Sequence, residues 1–213
     1  MDYYKLNKDR ISESILQQVI SSLVEGAVIG YPTETVYGIG CDAYNSTAIE
    51  KIYKLKGRNY SLPLIVLVDD KSTVQELTTY IPETAEVLMN EFWPGPLTII
   101  FKASSSVPEI LNNGKGTIGL RISSDPICKN ILENFKMPLV STSANPTGST
   151  PAKSAEELKG YFGSKIDVII DSGPRNQDLV STIIDVSSNN LEFEREGAIT
   201  RSQILQVIEK YNE

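Results

Sequence analysis

The chain has 213 residues, 40% of them hydrophobic, enough to bury one large core and too many for a disordered polymer. Its 27 acidic residues outnumber 20 basic ones, a net charge of −7 with no histidine, which argues against a basic nucleic-acid coat protein and requires any anion site to be local. Cys41 and Cys128 lack metal-ligand spacing, the polar start "MDYYKLNKDR" lacks a signal-peptide core, and no run approaches bilayer length, so a soluble, reduced, cytoplasmic protein with no membrane contact is expected.

Helical and strand signals alternate, which predicts an α/β domain. Ile11, Ile15, Val19, Ile20 and Leu23 recur at helical spacing over residues 11–25, and Gly26 supplies a left-handed stop. "AVIGYP" is a short buried strand and "TETVYGIGCDA" the turn that follows. Thr47 and Glu50 form a capping-box pair ahead of Ile49, Ile52, Tyr53 and Leu55, and this helix delivers "KGR". "PLIVLV" and "LTIIFKA" are apolar strands separated by two amphipathic helices, over residues 74–80 and 82–93. "TIGLRI", "LVSTSAN", "DVIIDSG", "STIIDV" and "LEFERE" continue the strand series. Helices over residues 126–135 and 154–162 interrupt it, and a last helix covers residues 200–211. No repeat, low-complexity tract or linker divides residues 1–213, so a single domain is expected.

Three local features carry chemistry. Lys56 and Arg58 flank Gly57, which lets backbone approach a ligand; a guanidinium fork beside an ammonium suits a polyphosphate, although cations also favour an ordinary helix C-terminus. "VSTSAN" places Ser141, Thr142, Ser143 and Asn145 at the end of an apolar strand, where α/β sheets collect ligands and where a plain capping turn is the alternative. Arg121 lies inside the strand "GLRI" and must meet an anion, either a protein carboxylate or a ligand. Arg195 has Glu192, Glu194 and Glu196 within three residues, so a structural ion pair competes with a ligand there.

"YPTETVYGIGCDA", "KGRNYSLPLIVLV", "WPGPLTIIF", "TIGLRI", "STSANPTG", "STIIDV" and "REGAI" follow one another in that order. Each is weak alone; together, from about residue 12 to residue 201, the chain resembles the YrdC-like family, the threonylcarbamoyl-AMP synthases. The resemblance implies a twisted mixed α/β sheet with helices packed around it and a concave cationic cavity, in the short single-domain form. It implies a nucleotidyltransferase that joins L-threonine, bicarbonate or carbon dioxide, and ATP into threonylcarbamoyl-AMP with release of pyrophosphate. It also implies a downstream tRNA threonylcarbamoyl transferase complex as partner, and leaves direct tRNA contact open.

Carried over by motif, Lys56, Arg58, Ser143 and Asn145 hold the ATP phosphates, with Lys56 and Arg58 the catalytic cations. Thr117, Arg195 and the backbone near Pro151 border the nucleotide. Thr35, Arg121, Ser141 and Ser181 hold threonine, and Thr33 is left open. Mg2+ arrives on the ATP phosphates, and no residue is assigned as a metal ligand. One departure stands out: many relatives have histidine where this chain has Leu67 and a polar residue where it has Leu62, so a histidine contact to threonine is missing. Two other readings share the fold, a noncatalytic nucleotide- or RNA-binding module and a carbamoyl-transferring domain like those of hydrogenase maturation proteins. The net charge counts against RNA, and no zinc-finger or acylphosphatase module accompanies the chain.

Overall fold

The computed structural model describes residues 1–7, 10–176, 179–188 and 190–212. The order is β1 (Asp2–Lys5), α1 (Glu13–Val24), β2 (Ile29–Tyr31), β3 (Gly38–Gly40), α2 (Ser46–Lys56), β4 (Ile65–Leu67), α3 (Lys71–Leu77), α4 (Glu83–Phe92) and β5 (Leu97–Lys102). It continues with α5 (Glu109–Asn112), β6 (Thr117–Arg121), α6 (Pro126–Phe135), β7 (Leu139–Ser143), α7 (Ala155–Phe162), β8 (Val168–Asp171), β9 (Thr182–Asp185), β10 (Glu192–Arg195) and α8 (Arg201–Asn212). The ten strands form one mixed sheet in the order β1-β8-β2-β3-β7-β4-β6-β5-β9-β10.

Local chemistry explains most boundaries, and it corrects two expectations. Ser12 caps α1 by accepting from the Ile15 amide, and Asp125 caps α6 by accepting from Ile127 and Cys128. The cap of α2 is Asn45, accepting from the Ala48 amide, not a box built on Thr47 and Glu50. A side chain one residue outside the helix reaches the free amides that Thr47, already inside it, cannot. Within "TETVYGIGCDA", expected as a turn, residues 38–40 form β3, antiparallel to both β2 and β7. Three residues with two glycines carry no alternation to read, and only the neighbouring strands make them a strand.

The pleat splits the core in two. Ile29 and Tyr31 of β2, Leu67 of β4, Leu139 of β7 and Ile170 of β8 pack with Leu16, Val19 and Leu23 of α1 and Ile127 and Ile131 of α6. The alternate residues Val66, Val140 and Ile169 join the larger cluster with Ile49 and Ile52 of α2, Leu88 of α4 and Leu158 of α7. Both cysteines are buried and unpaired, Cys41 in the larger cluster and Cys128 in the smaller. Helices α1 and α6 pack on each other and cover one face of the sheet around β8, β2 and the ends of β4 and β7. The rest of that face, over β4, β6, β7 and β9, is where the cavity lies.

Strand β3 has to lie close against β7, the strand that carries Ser141 and Ser143. A Cβ built on Gly40 would stand 2.1 Å from the Val140 carbonyl oxygen, a backbone atom that cannot step aside. Gly40→Ala is therefore expected to cost about 2–4 kcal/mol of unfolding free energy, measured by urea denaturation, whereas Gly160→Ala, with open space at its Cβ, is expected to cost nothing measurable.

Candidate functional site

A cavity of about 350 Å3 opens on the uncovered face, within the size range of small-ligand sites. Register places its floor: Ile65 of β4 lies opposite Gly119 of β6 and Ser141 of β7, so all three point the same way. Thr117 and Arg121 extend the floor along β6, and Ser143, Ile183, Ser181 and Arg195 close its ends. Thr33 and Thr35, between β2 and β3, and Arg58, after α2, form the walls. Eight of the residues that the family motifs assign to substrate, Thr35, Arg58, Thr117, Arg121, Ser141, Ser143, Ser181 and Arg195, thus meet in one cavity, with Thr142 beside them.

Three guanidiniums converge there, each fixed differently. Arg58 donates through Nε to the Leu62 carbonyl (3.1 Å) and through Nη2 to the Pro63 carbonyl (2.9 Å). Arg195 donates through Nε and Nη2 to the Ser181 carbonyl (3.0 and 2.8 Å) and through Nη2 to the Ser181 hydroxyl (3.1 Å). The neighbouring glutamates do not hold it: among the described ion pairs Arg195 has none, although Glu194 lines the same cavity. Burial first, then the positive charges of Arg121 and Arg58, lowers the Arg195 pKa, so the three cations feel one another. Arg121, 4% exposed, stands 3.7 Å from Glu34 Oε1 and also lines the cavity, so the protein carboxylate and the ligand space are both its neighbours.

The threonine pair is wired locally. The Thr33 hydroxyl donates to the Val36 carbonyl (2.6 Å) and lies 3.0 Å from the Thr35 hydroxyl, which it can serve only as acceptor. Thr33 therefore shapes the turn that presents Thr35.

Lys56 is placed unlike the other predicted cations. It is 3% exposed, and its Nζ donates to the Ser143 carbonyl, to the Asn145 carbonyl (2.8 Å) and to Asn145 Oδ1 (3.4 Å). Its own carbonyl accepts from the Thr147 amide (2.7 Å). Lys56 thus pins the end of α2 to the segment after β7. Gly57 needs no close ligand to explain it: at φ +57° it is the left-handed cap of α2, with nothing within 4 Å of a built Cβ.

The sequence matches the Sua5/YciO/YrdC family model, described as "Telomere recombination", over residues 21–197. The chain belongs to that family. It is 33% identical over 201 residues to the threonylcarbamoyl-AMP synthase of Pyrococcus abyssi, covering 94% of this chain and 59% of that protein. To the Bacillus subtilis threonylcarbamoyl-AMP synthase it is 35% identical over 195 residues, covering 91% of this chain and 56% of that protein. The chain therefore spans less than two thirds of the length of these two relatives. In three dimensions it matches the crystal structure of P. abyssi Sua5 complexed with L-threonine at a TM-score of 0.91 and 32% identity, over 97% of this chain and 60% of that one.

Against the family pattern, four positions fall off the cavity lining. Lys56 is one; Asn145 is a second, its amide donating to the Pro146 carbonyl (3.0 Å) and the Ser149 carbonyl (2.7 Å), which braces the turn that follows. Pro151, half-buried, ends that loop away from the lining. Leu67, where many relatives have histidine, is the fourth. It shares the cavity's face of β4 but lies one pleat beyond Ile65, level with Arg121 and Leu139, where α1 and α6 already cover the sheet, and it is fully buried. Leu62, by contrast, does line the cavity. Glu34 was not singled out from sequence; a carboxylate between two threonines in "PTET" carries no signal of its own, and only folding sets it beside Arg121. Among the described residues no group of His, Cys, Asp or Glu could hold a metal, and no helix is long and apolar enough to cross a membrane.

Burial, with Arg58 next, pulls the Lys56 pKa down to about 7, against about 10.4 for an unfolded lysine. Between those values the unfolded chain holds a proton that the folded chain has released, so stability rises with pH. Below about pH 7 the full cost of burying the ammonium is present. Compared with Lys56→Met, which has no such proton, the wild type is expected to gain unfolding free energy steadily from pH 7 to pH 10, by urea denaturation across that range. A constant difference would show that Lys56 keeps an ordinary pKa.

Proposed function

We propose that the chain is a threonylcarbamoyl-AMP synthase, joining L-threonine, bicarbonate or carbon dioxide, and ATP into threonylcarbamoyl-AMP and pyrophosphate. The observation that carries this is the convergence of Arg58, Arg121 and Arg195 with Thr35, Ser141 and Ser181 on one cavity, in a fold whose P. abyssi counterpart is described with L-threonine bound. Three cations in one 350 Å3 space call for an anionic guest of more than one charge. The product passes to a tRNA threonylcarbamoyl transferase complex.

In this reading Arg121, Thr35 and Ser141 receive the amino acid. Arg58, Thr117, Ser143 and Arg195 receive the nucleotide, and magnesium enters with it as the metal complex of ATP. The amine of threonine, once unprotonated, adds to carbon dioxide and loses a proton to give a carbamate. A carbamate oxygen then attacks the α-phosphorus, forming the new P–O bond as the bond to pyrophosphate breaks. The nucleophile already carries its charge, so this step needs position and charge neutralisation more than a general base. Guanidiniums suit that task, and a chain with no histidine is equipped for it. Lys56 and Asn145 contribute by holding the Ser143 end of β7 in place.

Purified protein with magnesium and ATP is expected to release pyrophosphate only when threonine and bicarbonate are both present. Release that ignores threonine, or none at all from folded protein, would overturn the proposal. Arg58→Lys is expected to lower kcat/KM by about ten- to a hundredfold, because one ammonium cannot span two carbonyls and still face a phosphate. Its melting temperature is expected to stay near that of the wild type, since Arg58 lies outside both core clusters.

A further inference from the structure

Of the three guanidiniums that face the cavity, only Arg121 has a carboxylate partner among the described ion pairs. That partner, Glu34, approaches to 3.7 Å between Oε1 and Nε, with side chains 13% and 4% exposed. Both atoms are buried, and neither makes a hydrogen bond. The other oxygen of Glu34 accepts from the Ser123 hydroxyl, which itself accepts from the Asp125 amide (3.2 Å) at the start of α6. The carboxylate is thus anchored to α6, not to the arginine. A brace built to orient Arg121 would complete the hydrogen bond; at 3.7 Å the coupling is charge to charge, and burial leaves it poorly screened.

The other two cations are treated differently. Arg58 and Arg195 are held by neutral carbonyl oxygens and keep their whole charge. Glu194 also lines the cavity, and like Arg195 it is exposed, so solvent weakens both of those charges alike. The cavity therefore has a cationic end led by the half-buried Arg58, with Arg195 beside it, and a charge-balanced, buried end at Arg121.

We infer that Glu34 is the specificity-determining residue that sorts the two substrates within the cavity, reserving the Arg121 end for a zwitterionic amino acid and turning polyphosphate away from it. An amino acid sets its carboxylate on Arg121 while its ammonium gains from the buried Glu34 charge. A phosphate group at the same place would lose to Glu34 much of what it gained from Arg121, and gains more at Arg58 and Arg195. Without Glu34 the cavity is cationic throughout, and a polyanion competes for both ends. This rests on the synthase reading above, and it assigns to a residue outside the lining the choice of which substrate sits where.

Calorimetric titration of threonine and, separately, of inorganic pyrophosphate into wild type, Glu34→Gln, Glu34→Asp and Ser123→Ala tests this. Glu34→Gln is expected to weaken threonine binding by about tenfold and to tighten pyrophosphate binding several-fold, opposite signs that follow from removing one buried charge. In the product assay excess ATP is expected to compete with threonine in Glu34→Gln and not in the wild type. Glu34→Asp and Ser123→Ala, which keep the charge, are expected to keep the wild-type order of affinities. Both affinities unchanged in Glu34→Gln, or both falling together with the melting temperature as they would for a merely structural residue, overturns the inference alone. Wild-type protein that binds neither ligand overturns the synthase reading and this inference with it.

Discussion

Three guanidinium groups pointed into one cavity repel one another, and the rest of the structure is arranged around holding them there. Each is fixed by a different element: Arg58 by the carbonyls that follow its own helix, Arg195 by the backbone and hydroxyl of Ser181, Arg121 by position within a central strand. None of these anchors cancels the charge except Glu34 beside Arg121. Bringing these charges together costs electrostatic free energy, seen in the lowered Arg195 pKa, and the anchoring hydrogen bonds offset that cost.

Such a site needs a rigid frame, and the two-sided sheet provides it. Val66, Val140 and Ile169 anchor the strands to one helical layer while Leu67, Leu139 and Ile170 anchor them to the other. Strands β4 and β7 are covered from below along their length and from above only where Leu67 and Leu139 pair. Past that cover, Ile65, Gly119 and Ser141 form the floor of the cavity. The buried Lys56 side chain does the same for the segment leaving β7, its Nζ set among three oxygens of Ser143 and Asn145. Removing that joint exposes no new surface but leaves carbonyls without donors, which is why a residue off the lining still governs the site's shape.

Most of the architecture was legible in the amino-acid sequence. Helices α1, α2, α4, α6, α7 and α8 declare themselves by apolar spacing, and the apolar strands by composition. β1 and β3 did not: a polar strand on an edge and a three-residue glycine strand have no period of their own, and they exist only because β8, β2 and β7 offer them hydrogen bonds. Eight of the residues named from the family motifs line one cavity, since motif positions track the few places where strand ends meet. They said nothing of which side chains line the cavity and which support it from behind.

The sequence by itself determined the fold class and the family, because those follow from periodicity and ordered motifs, and its charge balance meant that any anion site had to be local. Tertiary structure alone decided where each charge points. Leu67 and Ile65 sit on the same face of one strand, yet helix cover makes one a core residue and the other a wall. Lys56 and Arg58 stand two residues apart, yet the left-handed turn at Gly57 sends one into the backbone of a neighbouring segment and the other toward the cavity. Glu34 acquires its meaning only from Arg121, 87 positions along the chain from it (121 − 34). Burial and the proximity of unlike charges are properties of the packed chain, and no spacing along it encodes them.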